Sequence, residues 1–322
     1  VATVNSRERN KDSDTKTTLV KADTINLAMF EPRNFNVYES NDEDIFYINQ
    51  LVYSSLFKLD KNLNITPDVV SKYSVDTSSG EVNIRLKENV KFSDGSDLES
   101  SDVKASVDRI IAAESRSPYF VYASKINHIQ INDSKNFTVV FNSASDAALD
   151  NLIFPITSAG EYNKGESFAI GSGPYAYSGH ESGKTLKLAV NKYYYDGIAK
   201  LPIVFNIVKD RSVIPGLMTM DVVTAYLNKT QDADSIAQDK KLKYKKLASG
   251  ELEYLGFKNK YCSNSKFRIA ISKAIDSSKI IKYNYAGAAV TSDSIYYPNF
   301  LGAKKDDTFN FEPKRLPNFS KS

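Results

Sequence analysis

Residues 81–106 read EVNIRLKENVKFSDGSDLESSDVKAS. Val82, Ile84 and Leu86 alternate with polar neighbours, the two-residue period of a half-buried strand. Lys91-Phe92-Ser93-Asp94-Gly95 is a turn, marked by its Asp-Gly pair. From Ser101 to about Ala113 the period changes: Val103, Val107, Ile110 and Ile111 recur at helical spacing. Upstream, Ser78-Ser79-Gly80 joins a strand at Tyr73–Val75 to the one at 81–86, which makes a hairpin. Residues 41–59 predict a helix with Ile45, Ile48, Leu51, Val52, Ser55 and Leu56 on one face and Asp42 or Asp44 as its cap. Thr24–Phe30 alternates as a strand. Downstream, strands are expected at 126–132, 136–142, 184–190 and 202–208. One helix over 266–282 carries Phe267, Ala270, Ile271, Ala274 and Ser278 on a stripe. No repeat and no regular strand–helix alternation is present, so the fold class is mixed α/β (α+β).

The length of 322 residues predicts two or three domains. One cysteine, Cys262, excludes a disulfide framework and a four-cysteine zinc site. His128 and His180 lie far apart, which argues against histidine-based metal binding. No apolar run reaches the roughly 18 residues of a membrane span. A net charge of +3 implies neither a nucleic-acid nor a membrane partner by itself. Lys far outnumbers Arg, a bias similar to that of AT-rich bacterial genomes. Residues 1–22 are polar and charged and are expected to form a flexible tether.

Gly171-Ser172-Gly173-Pro174-Tyr175-Ala176 satisfies G-x-G-x-x-A, but Pro174 and the following Tyr-Ala-Tyr predict an extended continuation, not the helix a dinucleotide site requires. No G-x-S-x-G, Walker-type loop or H-E-x-x-H is present. Asp94, Asp97 and Glu99 lack the spacing of a calcium loop and are expected to serve a turn and a helix cap. Cys262 has no base beside it in sequence. No catalytic residue, cofactor or metal is expected.

Five segments together resemble the peptide/nickel-binding family (family 5, cluster C) of ABC-transporter extracellular solute-binding proteins. Pro67–Tyr73 (PDVVSKY) is similar to the family's Pro-x-Leu-Ala-Glu-Ser-Trp. ENVKFSDG at 88–95, with Ser101–Ser106, resembles its GVKFxDGxPxTAxDVxxS signature. GSGPY is similar to GTGPY, Tyr254-Leu255-Gly256-Phe257 to YLGFN, and Arg268–Asp276 to R-x-A-x-x-x-A-I-D. The resemblance implies a two-lobed, periplasmic-binding-protein-like clamp. Residues 23–44 and 166–250 would form a discontinuous domain I, to which 309–322 returns. Residues 45–165 would form an inserted domain II, and 251–308 a reduced domain III lacking the Asp that anchors a peptide's amino terminus.

The resemblance also implies the function. The chain would be a monomeric cell-surface lipoprotein, with a lipid-bearing Cys ahead of Val1. It would capture an oligopeptide or other small solute between its lobes and deliver it to an ABC permease. Tyr38, Tyr119 and Tyr254 match cleft positions and are the expected ligand-binding residues; Tyr119 follows Ser117-Pro118 on a projecting loop, with an accessible ring. Alternatives are a nickel or metal-chelate binder, a reduced non-transport member acting as a surface interaction or signalling protein, and a hydrolase.

Overall fold

A computed structural model describes residues 23–61, 63–160, 168–227, 252–258, 260–285, 287 and 289–291. The expected tether at 1–22 and the returning segment 309–322 lie outside the described residues. The chain divides into two compact units, Val1–Tyr226 and Leu227–Ser322. In chain order the first carries β1 (Ile25–Met29), α1 (Glu43–Val52), β2 (Phe57–Leu59), β3 (Ile65–Pro67), β4 (Val70–Asp76), β5 (Glu81–Leu86), α2 (Ser100–Ala113) and α3 (Phe120–Ala123). It continues with β6 (Ile126–Ile131), β7 (Asn136–Phe141), β8 (Tyr175–Glu181), β9 (Thr185–Val190), β10 (Ile203–Ile207) and α4 (Ile214–Thr219). The second unit carries α5 (Ser265–Ala274) and α6 (Ser277–Asn284). The class is mixed α/β.

Two four-stranded sheets organise the first unit, in the orders β1-β10-β9-β8 and β4-β5-β7-β6. In the second sheet the hairpin read from sequence pairs Ile84 with Tyr73 and Val82 with Val75. Its apolar alternation buries Val82, Ile84 and Leu86, while α2 buries Val103, Val107 and Ile110. In the first sheet β1 runs parallel to β10, from Ile25↔Ile203 to Met29↔Ile207, whereas β8, β9 and β10 are antiparallel neighbours. Residues from both sheets belong to one continuous apolar cluster that includes Ile45, Phe57, Phe92, Phe154 and Leu188.

The start of α2 is fixed by a capping box. The Glu99 amide donates to Asp102 Oδ2 at 2.7 Å, satisfying a donor that the first turn would leave unpaired. Asp102 Oδ1 accepts from the Ala159 amide at 2.7 Å. Burial pushes the Asp102 carboxyl up from its ordinary range, against these two hydrogen bonds. Arg109 closes the same strip, donating to Thr157 Oγ1 and to the carbonyls of Ser158 and Ala159. Asp94 accepts from the Ser96 amide and hydroxyl, and Asp97 pairs with Lys91. The three acids at 94–99 thus have structural partners.

Two helices differ from expectation. The helix expected over 41–59 ends at Val52, and the chain re-extends at Tyr53 into β2. The reason is a backbone crossing: the Gly173 amide donates to Val52 O at 2.9 Å, and the Ser54 hydroxyl donates to Ser172 O at 3.1 Å. A Cβ on Gly171 would lie 2.0 Å from Val52 O, and one on Gly173 2.5 Å from Leu51 O. Neither glycine has a positive φ. Close approach is what requires glycine here. Ser93 N donates to Gly171 O at 2.9 Å, and Asn191 Nδ2 to Gly173 O at 2.8 Å. β8 then begins at Tyr175, so no helix opens inside the motif. Gly183-Lys184-Thr185, a fragment of a phosphate-loop pattern, forms the β8–β9 turn, with Gly183 at φ 72°. The single helix expected over 266–282 is two: Asp276 breaks it and caps α6, accepting from the amides of Ser278 and Lys279.

Alanine at Gly171 or Gly173 should cost about 1–3 kcal/mol of stability as an overpacking change. Gly216→Ala in α4, where a Cβ meets nothing within 4 Å, should be neutral or stabilising by up to ~1 kcal/mol. Denaturant unfolding of the three variants checks this; equal stability for all would remove the crossing as the reason for the glycines.

The β4–β5 turn yields a pH prediction. The Asp76 carboxylate accepts from the Ser78 hydroxyl and amide and from the Ser79 amide. These bonds lower its pKa to about 2 from 3.8. A depressed acid adds stability above its unfolded pKa and loses it as pH falls through the folded one. Acid unfolding should therefore show a component between pH 3.8 and about 2 that is absent in Asp76→Asn.

Candidate functional site

The carboxyl ends of β1 and β10 open side by side, and in sheets containing parallel strands that end is where a crevice forms. Here the crevice is lined by Phe30, Glu31, Pro32 and Arg211 and by the acidic first turn of α1. The Phe30 amide donates to Asp44 Oδ2 at 2.9 Å, and the Arg33 amide to Asp42 Oδ2 at 3.0 Å. These two carboxylates therefore hold the outgoing loop against α1. The Arg211 guanidinium stands over the Phe30 ring at 5.1 Å from its centroid and 4.0 Å from Glu43 Oε2. Glu31 reaches the β8–β9 turn, accepting from the Ser182 hydroxyl at 3.0 Å and the Gly183 amide at 2.8 Å. His180 Nε2 lies 3.1 Å from Glu31 Oε1. Partial burial raises the Glu31 carboxyl, but the Gly183 amide, the Ser182 hydroxyl and His180 outweigh it and hold it below its ordinary range.

Beyond Pro32 the loop is a packed wall. Asn34 Oδ1 accepts from the Asn36 amide, and Asn36 Oδ1 from the Tyr38 amide, two successive side-chain turns. Phe35 packs edge-on against Phe168 at 5.4 Å and His180 at 5.0 Å. Burying a ring of that size contributes about 2–3 kcal/mol. Glu39 pairs with Arg116 at 2.8 Å. The crevice wall is thus fastened to the β8–β9 side of the first sheet and to the turn that follows α2.

The structure places Tyr38 and Tyr119 together. Tyr38 is fully buried, and its hydroxyl donates to Pro155 O at 3.0 Å and lies 3.1 Å from Thr157 Oγ1. The Tyr119 ring meets it in a T-shaped contact at 6.5 Å. Tyr119 is 7% exposed, which corrects the expectation of an accessible ring. Two facts explain the burial. The α2 stripe is narrower than its sequence suggests, because Ile111 is 38% exposed. Tyr119 is also the cap residue of α3, whose turn carries the ring into the cluster shared with Val107 and Ile110. That burial pushes the Tyr119 hydroxyl well above its ordinary range, although a hydrogen bond with Asn49 opposes the shift. Tyr254 belongs to the other unit and is 78% exposed. The sequence reading missed Phe30, Asp44 and Arg211. Phe-Glu-Pro after a strand is a usable signal for a loop leaving a sheet, but nothing local shows that residue 211 follows the parallel partner strand.

Among the described residues no group of three or more His, Cys, Asp or Glu is placed to hold a metal ion. No helix among them is long and apolar enough to cross a membrane.

The family model for bacterial extracellular solute-binding proteins, family 5, matches residues 64–317. The chain belongs to this family. Its members are solute-binding proteins, not enzymes, and act outside the cytoplasmic membrane. The chain is 23% identical over 290 residues to the glutathione-binding protein GsiB of Salmonella paratyphi A, covering 86% of this chain and 57% of that one. It thus spans little more than half the length of the curated relatives it matches. The fold is similar to that of the oligopeptide-binding protein AppA of Bacillus subtilis, solved with a nonapeptide (TM-score 0.72, 19% identity, 88% of this chain and 60% of that one). It is also similar to NikZ of Campylobacter jejuni, solved with Ni(L-His) (TM-score 0.69, 21% identity, 82% and 55%). The mixed α/β class and the family expected from sequence are therefore those of this chain.

Tyr119→Ala should behave as a core truncation, costing about 3–5 kcal/mol. Tyr38→Phe, which deletes only the hydroxyl and its buried partners, should cost about 1–3 kcal/mol. Urea unfolding measures both; a near-neutral Tyr119→Ala would return that ring to the ligand-contacting set.

Proposed function

We propose that this protein is an extracellular solute-binding protein of an ABC importer, which captures oligopeptides and presents them to a permease without chemical turnover. The observation that carries this reading is the preformed crevice at the carboxyl ends of β1 and β10. Its lining sets Arg211 over Phe30 and 4.0 Å from Glu43, next to the acids Asp42 and Asp44. A zwitterionic, partly apolar ligand such as a peptide offers a group of matching character to each: a carboxylate to the guanidinium, an ammonium to the acids. Family membership and the likeness to a nonapeptide-bound relative support the same reading.

In this reading residues 23–44 and 166–250 form domain I, 45–165 domain II, and domain III begins at 251. Tyr254 keeps its expected role as a ligand-binding tyrosine, with an accessible ring. Tyr38 and Tyr119 act one layer behind, holding the 30–42 loop in place. The protein works as a lipid-anchored monomer at the cell surface, and binding biases a hinge between open and closed forms.

Thermal unfolding with a random pool of short peptides tests the proposal, with nickel–histidine as a separate arm. Bound peptide should raise the melting temperature in a concentration-dependent way, reaching about 2.7 kcal/mol at a hundredfold excess over Kd. Arg211→Ala should weaken that response about tenfold or more, as expected for loss of a charge-assisted contact. Stabilisation by nickel–histidine alone would shift the reading to a metal-chelate binder, and no response in either arm would favour the non-transport alternative.

A further inference from the structure

Asp102, Ser106 and Arg109 recur in α2 at i, i+4 and i+7, a polar stripe beside the apolar one of Val103, Val107 and Ile110. All three side chains reach the same short strap, residues 157–159. Asp102 Oδ1 accepts from the Ala159 amide at 2.7 Å, and Ser106 Oγ from the Thr157 amide at 3.0 Å. Arg109 Nη1 donates to Thr157 Oγ1 at 2.8 Å and to Ser158 O at 2.7 Å, and Nη2 donates to Ala159 O at 2.9 Å. The planar fork of a guanidinium held at three acceptors has little freedom left. Thr157 and Ser106 are fully buried, so their bonds form away from water.

The strap carries the connection onward to the crevice loop. Tyr38 Oη lies 3.0 Å from Pro155 O and 3.1 Å from Thr157 Oγ1. The available protons set the direction of these contacts. Arg109 only donates, so Thr157 Oγ1 accepts from it; Pro155 O only accepts, so it takes the one phenolic proton of Tyr38. The contact that remains is the Thr157 hydroxyl donating to Tyr38 Oη. A buried line of bonds thus runs one way, from the guanidinium through Thr157 and Tyr38 to Pro155. Bonds aligned in this way and headed by a cation strengthen one another. Tyr38 in turn ends the two side-chain turns of the loop, and the Glu39 and Ser40 amides both return to Asn36 O. The other link from this side, Arg116 with Glu39, is of a different kind: the Arg116 side chain is 65% exposed, where water screens an ion pair and leaves it little net effect.

We propose that Arg109 is a positioning residue for the crevice. It is not among the residues lining that crevice. It acts through Thr157 and Tyr38, holding the loop that runs from Phe30 to the start of α1 in the place where its lining groups can meet a solute. A loop freed from this line must be ordered at the moment of binding, which weakens affinity. That last consequence rests on the solute-binding reading above; the hold on the loop does not.

Hydrogen exchange of the 322-residue chain, read by mass spectrometry with no solute present, tests the hold on the loop. Arg109→Met keeps an apolar stem, and Thr157→Val deletes one hydroxyl while keeping its shape. In both, fragments holding the Tyr38, Glu39 and Ser40 amides should exchange about tenfold faster or more, as expected for loss of a buried, charge-assisted bond. Fragments from β5 and β7 should keep the parent's rate, and Arg116→Met should change neither. Thr157→Val carries the test if Arg109→Met does not fold. Adding Thr157→Val to Arg109→Met should give little further effect, since both break one line. Loop exchange at the parent's rate, equal acceleration in the loop and in β5 and β7, equal loosening by Arg116→Met, or full additivity of the double variant would overturn the proposal. The random peptide pool is then applied to the same proteins. Where the parent responds, both variants should bind several-fold more weakly; a loosened loop with the parent's affinity would overturn the crevice role. A parent that does not respond removes the peptide reading and leaves the exchange result to decide the hold on the loop, so either can fail alone.

Discussion

Where α1 ends, the carbonyls of Leu51 and Val52 meet a second stretch of backbone, and the rest of the first unit is arranged around that meeting. The strand that enters the first sheet at Tyr175 must pass within hydrogen-bonding distance of Val52 O. Only residues without a Cβ leave room for it. The same short segment accepts from Ser93, next to the turn that precedes α2, and from Ser54, which starts the path into β2. A single backbone crossing therefore ties together the first sheet, α1 and the approach to the second sheet. It also decides where the helix stops, and hence which residues of the following segment can pair as strands.

The crevice inherits its rigidity from that arrangement. α1 is held at its far end by the crossing, so its acidic first turn is available to grip the loop leaving β1. The loop is then fastened a second time through Phe35, His180 and Glu31 to the β8–β9 hairpin. Tyr38 and Tyr119 close the layer behind it. A binding wall assembled in this way loses little conformational entropy when a ligand arrives, which is what preorganisation contributes to affinity.

What could be read from sequence was local. The hairpin expected at 73–86, the turn at 91–95 and the start of α2 depend on residues within a few positions of one another; the second strand and the helix start match the structure to within a residue, while the first strand runs longer, Val70–Asp76. The end of α1 depends on glycines some 120 positions later, so a periodic pattern continuing to Leu56 was misleading. The break at Asp276 was legible in principle, since Asp-Ser-Ser is a helix-starting sequence, but the longer stripe hid it. Tyr119, expected on a projecting loop after Ser117-Pro118, is buried instead, next to a stripe from which Ile111 turns outward. At the site, Asp42 and Asp44 were read only as helix caps, and Glu43 and Arg211 were not read at all. The position of Arg211 depends on a parallel pairing that no local pattern encodes.

That parallel pairing also governs the order in which the molecule can assemble. β1 is an edge strand whose outer side is completed by Thr224, 198 residues away from Asn26. During synthesis β1 emerges well before β10 and has no sheet partner until nearly the whole first unit has followed. The second sheet, with its neighbouring hairpins, can form during that interval, and closing the large loop is slow compared with local pairing. Thr24 and Asn26 interrupt the apolar run of the waiting strand, which lowers its tendency to pair with another unfinished chain. The crevice, built on the β1–β10 ends, is thus among the last features to exist.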